Sequence, residues 1–160
     1  MAANSRARQP SLLVESLRDW ARGCYAQEAA VELLFRSFGG RFASTAYPWV
    51  INDGEQVDWF CIDGEQLMTA TGCLSSNEQR VLALAGALAS GAAVSDLGAV
   101  LAGLDRANLH LVLAAFAHAG GAHEQVEALL NGDHLAWRRQ DPLLAWPEPT
   151  ETTERAEVAP

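Results

Sequence analysis

The sequence predicts an α+β fold: two N-terminal helices, a three-stranded antiparallel meander and a four-helix C-terminal block. Apolar residues recur at helical spacing over residues 13–38 and again over residues 75–130. Between these regions lie β-branched and aromatic runs with glycine-containing turns. The chain has 160 residues, of which 49% are hydrophobic, so it can bury a core without disulfides or metal.

The two N-terminal helices are predicted from apolar residues three and four positions apart. The first begins at the N-cap residue Ser11, and the second spans residues 27–38 and ends at Gly39-Gly40. The residues of the two apolar stripes are Leu13, Leu17, Trp20 and Cys24, followed by Val31, Leu34, Phe35 and Phe38. Residues 1–10 show no such spacing and are predicted to be a disordered tail.

The meander is predicted where the spacing changes to that of strands. Residues 49–51 and 57–62 are β-branched and aromatic, and Asp53-Gly54 between them is typical of a hairpin turn. The turn sequence Asp-Gly-Glu-Gln recurs at residues 63–66. This repeat predicts a second turn, followed by a third strand at residues 67–71.

The four-helix block is predicted over residues 75–130. It begins with the capping box of Ser75 and Glu78, and Ser95 and Asp105 are further N-cap residues. Its expected helix ends are Gly91, Gly120-Gly121 and Gly132. Its apolar stripes are Leu97, Val100, Leu101 and Leu104, then Leu109, Val112, Leu113 and Phe116, and for the fourth helix Val126, Leu129 and Leu130. These stripes are expected to form the core.

A single domain is expected over residues 11–135. Residues 136–160 are rich in Pro, Thr, Glu and Ala and are predicted to be a largely disordered acidic tail. Within this tail, the apolar residues 143–146 either fold back onto the domain or dock in a groove of a partner. Folding back is the favoured alternative.

The net charge of −9 is unevenly distributed, with +2 over residues 1–41 and −11 over residues 42–160. This acidity argues against non-specific binding to nucleic acid or to anionic membranes. No apolar run reaches the roughly 20 residues of a membrane span, and no signal-peptide core is present. The three cysteines, without a C-x-x-C pair, fit reduced thiols, so a cytoplasmic location is predicted.

The sequence contains no catalytic motif, and the protein is predicted not to be an enzyme. All eleven basic residues are arginine, which excludes the lysine of a P-loop and Schiff-base chemistry. The candidate metal ligands or nucleophiles are Cys24, Cys61, Cys73, His110, His118, His123 and His134. His118 and His123 are five residues apart, which does not match the i, i+4 pair of a helical zinc site. No metal and no cofactor are therefore predicted.

The first predicted function is a non-enzymatic protein-interaction module that binds a basic protein partner through the acidic, aromatic meander. Carboxylates would steer the encounter, and aromatic side chains would supply affinity. Solvated turns over a half-buried sheet explain the same acidic residues. The predicted partner-binding residues are Trp49, Asp53, Glu55, Asp58, Phe60, Asp63 and Glu65.

The alternative function is a helix-turn-helix DNA-binding regulator over residues 96–119. Ala99, Gly103 and Leu109 resemble the small, glycine and apolar positions of helix-turn-helix proteins. The recognition helix would present Arg106, Asn108 and His110. An ordinary helical hairpin in a core explains this pattern as well.

Residues 30–50 and 74–121 resemble small proteins of unknown function from high-GC bacteria and their phages. A basic composition made of arginine alone, together with much Ala and Gly, is typical of high-GC genomes. The resemblance implies an accessory protein of a phage or mobile element. It carries over no functional residue.

Overall fold

The computed structural model describes residues 9–52, 58–70, 72–132 and 134–148, and for residues 9–11 it gives the backbone alone. The fold is mixed α+β, with six helices and two antiparallel two-stranded sheets in the described part of the chain. None of these helices is long and apolar enough to cross a membrane. The elements are α1 (Gln9–Ala21), α2 (Tyr25–Arg36), β1 (Val50–Asn52), β2 (Phe60–Ile62), α3 (Gly64–Met68), α4 (Ser76–Ser90), α5 (Leu97–Ala102), α6 (Arg106–Ala119), β3 (Val126–Asn131) and β4 (His134–Arg139).

Helix α2 lies at the centre of the core. It packs against α4 and α6 and, less extensively, against α1. Its small and branched side chains let these helices approach closely on more than one side. The fully buried residues of α2 are Ala29, Ala30, Val31, Leu33 and Leu34.

The predicted helix caps at Ser75, Gly91 and Asp105 are confirmed. Ser95 is not a cap, because Asp96 caps α5 by accepting from Ala99 N at 3.1 Å. Ser75 Oγ accepts a hydrogen bond from Glu78 N at 3.3 Å, and Ser75 N donates to Glu78 Oε2 at 2.8 Å. Gly91 ends α4 in the left-handed conformation with φ of 74°. Asp105 Oδ1 accepts from Asn108 N at 2.8 Å and so caps α6. Satisfying the free N–H groups of the first turn fixes where each helix begins.

The first sheet contains two strands, and the third strand predicted at residues 67–71 is wrong. β1 and β2 pair from Val50↔Ile62 to Asn52↔Phe60. The chain then forms α3, because the Asp63 carboxylate caps a helix by accepting from Gln66 N at 3.0 Å. The second Asp-Gly-Glu-Gln sequence is therefore a helix start.

The fourth helix predicted around Val126, Leu129 and Leu130 is also wrong. This stretch is β3, which pairs with β4 from Val126↔Arg139 to Asn131↔His134. The turn between them contains Gly132 with φ of 64°, a conformation that suits tight hairpin turns. The predicted block therefore consists of three helices followed by a hairpin.

Because the block has only three helices, some residues of the predicted apolar stripes on α5 and α6 are exposed to solvent. On α6, Val112 is fully buried, whereas the neighbouring Leu113 is 44% exposed. On α5, Leu97 is 42% exposed. The prediction that Leu113 and Leu97 belong to the core is wrong, because only one side of each helix packs against the body.

Candidate functional site

The predicted partner-binding residues of the meander lie in different environments. Trp49 is 4% exposed, and its Nε1 donates to Phe42 O at 2.9 Å inside a cluster of aromatic rings. Trp49 therefore stabilises the core. Asp53 and Glu55 lie outside the described residues.

The other acidic and aromatic residues of the meander are divided between the surface and the body. Phe60 is half-buried against the core, and its N donates to Ser16 Oγ of α1 at 2.7 Å. The hydrogen bond from Gln66 N lowers the pKa of Asp63, whose carboxylate caps α3. Asp58 and Glu65 are exposed. Of the predicted partner-binding residues that the structure describes, two carboxylates are thus exposed, and no aromatic ring is.

The residues predicted to read DNA all lie at the start of α6. Arg106 and His110 are exposed, but Asn108 is only 8% exposed. The Asn108 amide donates to Asp105 Oδ2 at 2.8 Å within the cap of its own helix. Asn108 is thus held by a structural bond, and DNA binding by Arg106 and His110 remains a prediction.

The β3–β4 hairpin presents an apolar surface that the sequence analysis did not predict. The pairings Val126↔Arg139, Ala128↔Trp137 and Leu130↔Leu135 place these side chains on one side of the sheet, since strand side chains alternate. Leu130 is 80% exposed and Trp137 is 67% exposed. We call this surface the hairpin face; it consists of Val126, Ala128, Leu130, Leu135, Trp137 and Arg139.

Polar contacts attach the base of the hairpin to the helices. Tyr25 Oη of α2 donates to Glu124, which raises the pKa of the Tyr25 phenol. Arg139 Nη2 lies 3.8 Å from Glu124 Oε1, and Gln140 N donates to Gln125 O at 2.9 Å. Farther along, Arg138 Nη2 bonds Glu127 Oε2 at 2.8 Å and lowers the pKa of Glu127. The hairpin is therefore held at its base while its face stays exposed.

Beside this base, Glu28, His118 and His123 form a cluster, which we call the histidine–carboxylate cluster. His118 Nε2 lies 3.1 Å from Glu28 Oε2. The two imidazole rings are stacked, with centroids 3.8 Å apart and an interplanar angle of 8°. Burial raises the pKa of Glu28, but hydrogen bonds from Gly23 N and His118 outweigh this effect, so the Glu28 pKa lies below its usual value.

The segment after the hairpin covers one side of this cluster. Trp146 is half-buried, its ring centroid lies 6.1 Å from that of His118, and the Arg36 guanidinium lies 5.1 Å over the indole ring. Within residues 143–146, Trp146 thus folds back onto the body, whereas Leu143 is 81% exposed.

No protein-family model matches the chain, no curated protein is similar to it, and no solved structure is a significant match to it. The roles of its residues therefore follow from geometry and chemistry alone. Two features stand out on that basis: the hairpin face and the histidine–carboxylate cluster.

The sequence contains one signal for the hairpin, which competes with the helical spacing of Val126, Leu129 and Leu130. Val126, Ala128 and Leu130 alternate along the chain, and Gly132-Asp133 follows as a two-residue turn signal. The histidine–carboxylate cluster had no comparable signal. Glu28 is distant in sequence from both histidines, and only the packing of α2 against α6 brings it to them.

Proposed function

We propose that the protein is a non-enzymatic interaction module that binds another protein through the hairpin face. The observation that carries this proposal is the exposure of Val126, Leu130, Leu135 and Trp137, by 58–80%, on one side of one small sheet. A contiguous apolar patch of this kind is typical of a binding surface. Tryptophan is also enriched among the residues that supply most of the affinity in interfaces.

The partner that fits this surface is a basic protein with an apolar patch of its own. The chain carries a net charge of −9, so like-charge repulsion disfavours a second copy as the occupant. Near the hairpin, Arg138 and Arg139 lie against Glu127 and Glu124, whereas Asp141 is exposed and no ion pair with it is found among the described residues. The net negative charge of the chain, together with Asp141, which is uncompensated among the described residues, favours basic groups around the patch on the partner.

The exposed carboxylates of the meander support the same kind of partner. Asp58 and Glu65 add to the negative field of the molecule, which speeds the association of a basic protein at low salt. The exposed, unbridged thiols of Cys24 and Cys73 favour a reducing compartment as the place of action. We therefore propose the cytoplasm as the site of this interaction.

The test uses the full chain and a double variant of the hairpin face, Leu130→Ser with Trp137→Ser. Its matched control is Leu97→Ser, which changes a leucine of similar chemistry that is exposed on α5. Proteins captured from the source cells by the wild type are identified, purified and titrated against each variant by calorimetry. We expect the double variant to raise the Kd at least about 30-fold, as for the loss of a strong interface contact. The control should leave the Kd unchanged.

Three outcomes would overturn this proposal. The first is a purified partner that binds the double variant as tightly as the wild type. The second is a dimer in sedimentation equilibrium that the double variant dissociates, which would make a second copy the occupant. The third is binding of duplex DNA that persists at about 0.15 M salt and is lost in Arg106→Ala, which would favour the DNA-binding function.

A further inference from the structure

We propose that Glu28, His118 and His123 form a binding site for a divalent transition-metal ion, with Zn²⁺ as its best-fitting occupant. This inference goes beyond the proposed interaction and does not depend on it. Each of the three residues offers one ligand atom, and the three atoms all lie within 4.8 Å of one another. They come from α2, from α6 and from the turn after α6, so the fold assembles the set from separate segments.

The ligand types select the class of metal. Imidazole nitrogen suits Zn²⁺ and its neighbours in the first transition row, whereas Ca²⁺ and Mg²⁺ prefer sites made entirely of oxygen. Two histidines and one glutamate are also a ligand set that zinc accepts with a fourth position open. Ligand atoms around a tetrahedral zinc ion lie about 3.3 Å apart, since each bond is about 2.0 Å long. The 3.1 Å between Glu28 Oε2 and His118 Nε2 is close to that spacing.

Neighbouring groups hold these ligands in place. Gly23 N donates to Glu28 Oε1 at 2.9 Å, which leaves Oε2 directed toward His118. The Tyr25 ring meets the His123 ring edge-on, with centroids 4.9 Å apart. Hydrogen bonds and packing around ligands orient them and raise metal affinity. The cluster therefore resembles a preorganised metal site, in which the ligands are held in place before the ion binds.

His123 provides an independent observation that points to a ligand. Its Nδ1 atom is buried and has no hydrogen-bond partner among the described residues. A buried polar atom without a partner is unfavourable, and such an atom in a native fold calls for an explanation. A metal ion held by the cluster, directly or through a bound water, would satisfy it.

Two cavities border the cluster. A cavity of about 230 Å³ is lined by Glu28 and His118, and a second, of about 190 Å³, is lined by His118, His123 and Trp146. Arg18 also lines the first cavity, but its Nε lies 2.7 Å from Glu32 Oε1, so its charge is compensated. These cavities leave room beside the cluster for an exchangeable ligand in the open position.

The experiment titrates Zn²⁺ into the full, untagged chain by calorimetry. The reference protein carries Cys24→Ser and Cys73→Ser, which removes the two exposed thiols as competing ligands. We expect one ion per chain, and no comparable binding of Mg²⁺. His123→Ala and Glu28→Gln should each weaken the affinity by at least about tenfold, since even the loss of a group that supports a ligand costs that much. His134→Ala, which removes an exposed histidine of β4, is the matched control and should leave the affinity unchanged.

Two further measurements keep the proposal testable if a variant folds poorly. Far-UV circular dichroism and thermal melts check each variant, and at the same zinc concentration zinc should raise the Tm of the reference protein more than that of Glu28→Gln. X-ray absorption at the zinc edge of the reference protein should show nitrogen and oxygen ligands, including two imidazoles. Absence of zinc binding by the reference protein would overturn the site. So would equal affinity in folded His123→Ala, or sulfur ligands in the absorption spectrum.

Discussion

The carboxylate of Asp105 joins two helices. Its Oδ1 accepts from Asn108 N at 2.8 Å, and its Oδ2 accepts from the side-chain amides of both Asn108 and Asn77. The bond from Asn108 N is the largest cause of a pKa for Asp105 below its usual value, and burial only partly opposes it. The cap of α6 is thereby tied to the first turn of α4.

Asp105→Asn should therefore change the pH dependence of stability. A depressed carboxyl pKa contributes stability above the unfolded pKa, and this contribution is lost as the pH falls through the folded pKa. We expect the variant to be less stable than the wild type by about 1 kcal/mol at pH 7, since it keeps a capping side chain but loses the charge. The gap should begin to shrink below about pH 4, where the unfolded chain takes up the proton, and should close as the pH falls through the lower pKa of the folded state.

Urea melts of both proteins at pH 7 and at pH 3.5 measure this gap. Asp105→Ala serves as the reference for complete loss of the cap. A gap that stays constant across the two pH values would show that the charge of Asp105 contributes nothing.

The position of His123 shows why residue spacing failed to predict the histidine–carboxylate cluster. His118 lies in the last turn of α6, and the chain then reverses through Gly121, which has φ of 72°. This turn stacks His123 onto His118, although five residues in a continuous helix would not align them. The reversal at Gly121 thus brings together two rings whose spacing in the sequence argued against a helical metal site.

At the scale of elements, α3 and α4 meet through two glycines. A Cβ atom on Gly86 would lie 2.6 Å from Gly64 O and 2.8 Å from Met68 N. Both neighbours are backbone atoms, which cannot rotate away. This close approach explains the glycine after Asp63 better than the turn that the sequence suggested.

Gly86→Ala should destabilise the protein by about 1–3 kcal/mol, as expected for overpacking. This loss would occur although alanine is the better helix former by about 1 kcal/mol. Gly98→Ala in α5 is the matched control, because its Cβ would meet only Asp96 Oδ1, at 3.8 Å. We expect that variant to be as stable as the wild type or slightly more stable. Denaturant melts of the two variants test the prediction, and equal stability of both would contradict it.

Elements that depend on local chemistry were predicted well from the sequence. α1, α2, α4 and α6 follow from apolar spacing, and the starts of α4 and α6 also follow from caps by neighbouring residues. The prediction that Ser11 caps α1 is wrong, because the helix already includes Gln9, and α2 begins without a side-chain cap. α3 and the β3–β4 hairpin were missed because short apolar stretches fit a helix or a strand equally well. In α3, the cap by Asp63 is supported by close packing against α4, which the sequence does not display.

At the scale of the whole molecule, the segment that follows the hairpin packs back against α2 and α6. Trp146 connects it to α2 through Arg36 and to α6 through His118. A half-buried indole with a cation over its ring stabilises both the segment and the helices beneath it.

Trp146→Ala should lower the free energy of unfolding by about 1–3 kcal/mol, less than for a fully buried tryptophan. Removal of residues 149–160, which lie outside the described structure, should leave the Tm unchanged because their composition is polar and contains proline. Thermal melts of the two proteins compare the effects. A larger loss from the truncation than from Trp146→Ala would mean that these last residues stabilise the fold.

Because the hairpin is attached at its base alone, it can open locally while the helices stay folded. All six residues of β4 are exposed, so the ladder between β3 and β4 rests on its own hydrogen bonds more than on the core. A two-stranded sheet is only marginally stable by itself. The amide protons of the hairpin therefore exchange with water through local opening, whereas those of α2 exchange only when the whole protein unfolds. The hairpin can therefore change its conformation when it contacts a partner, while the helical body keeps its structure.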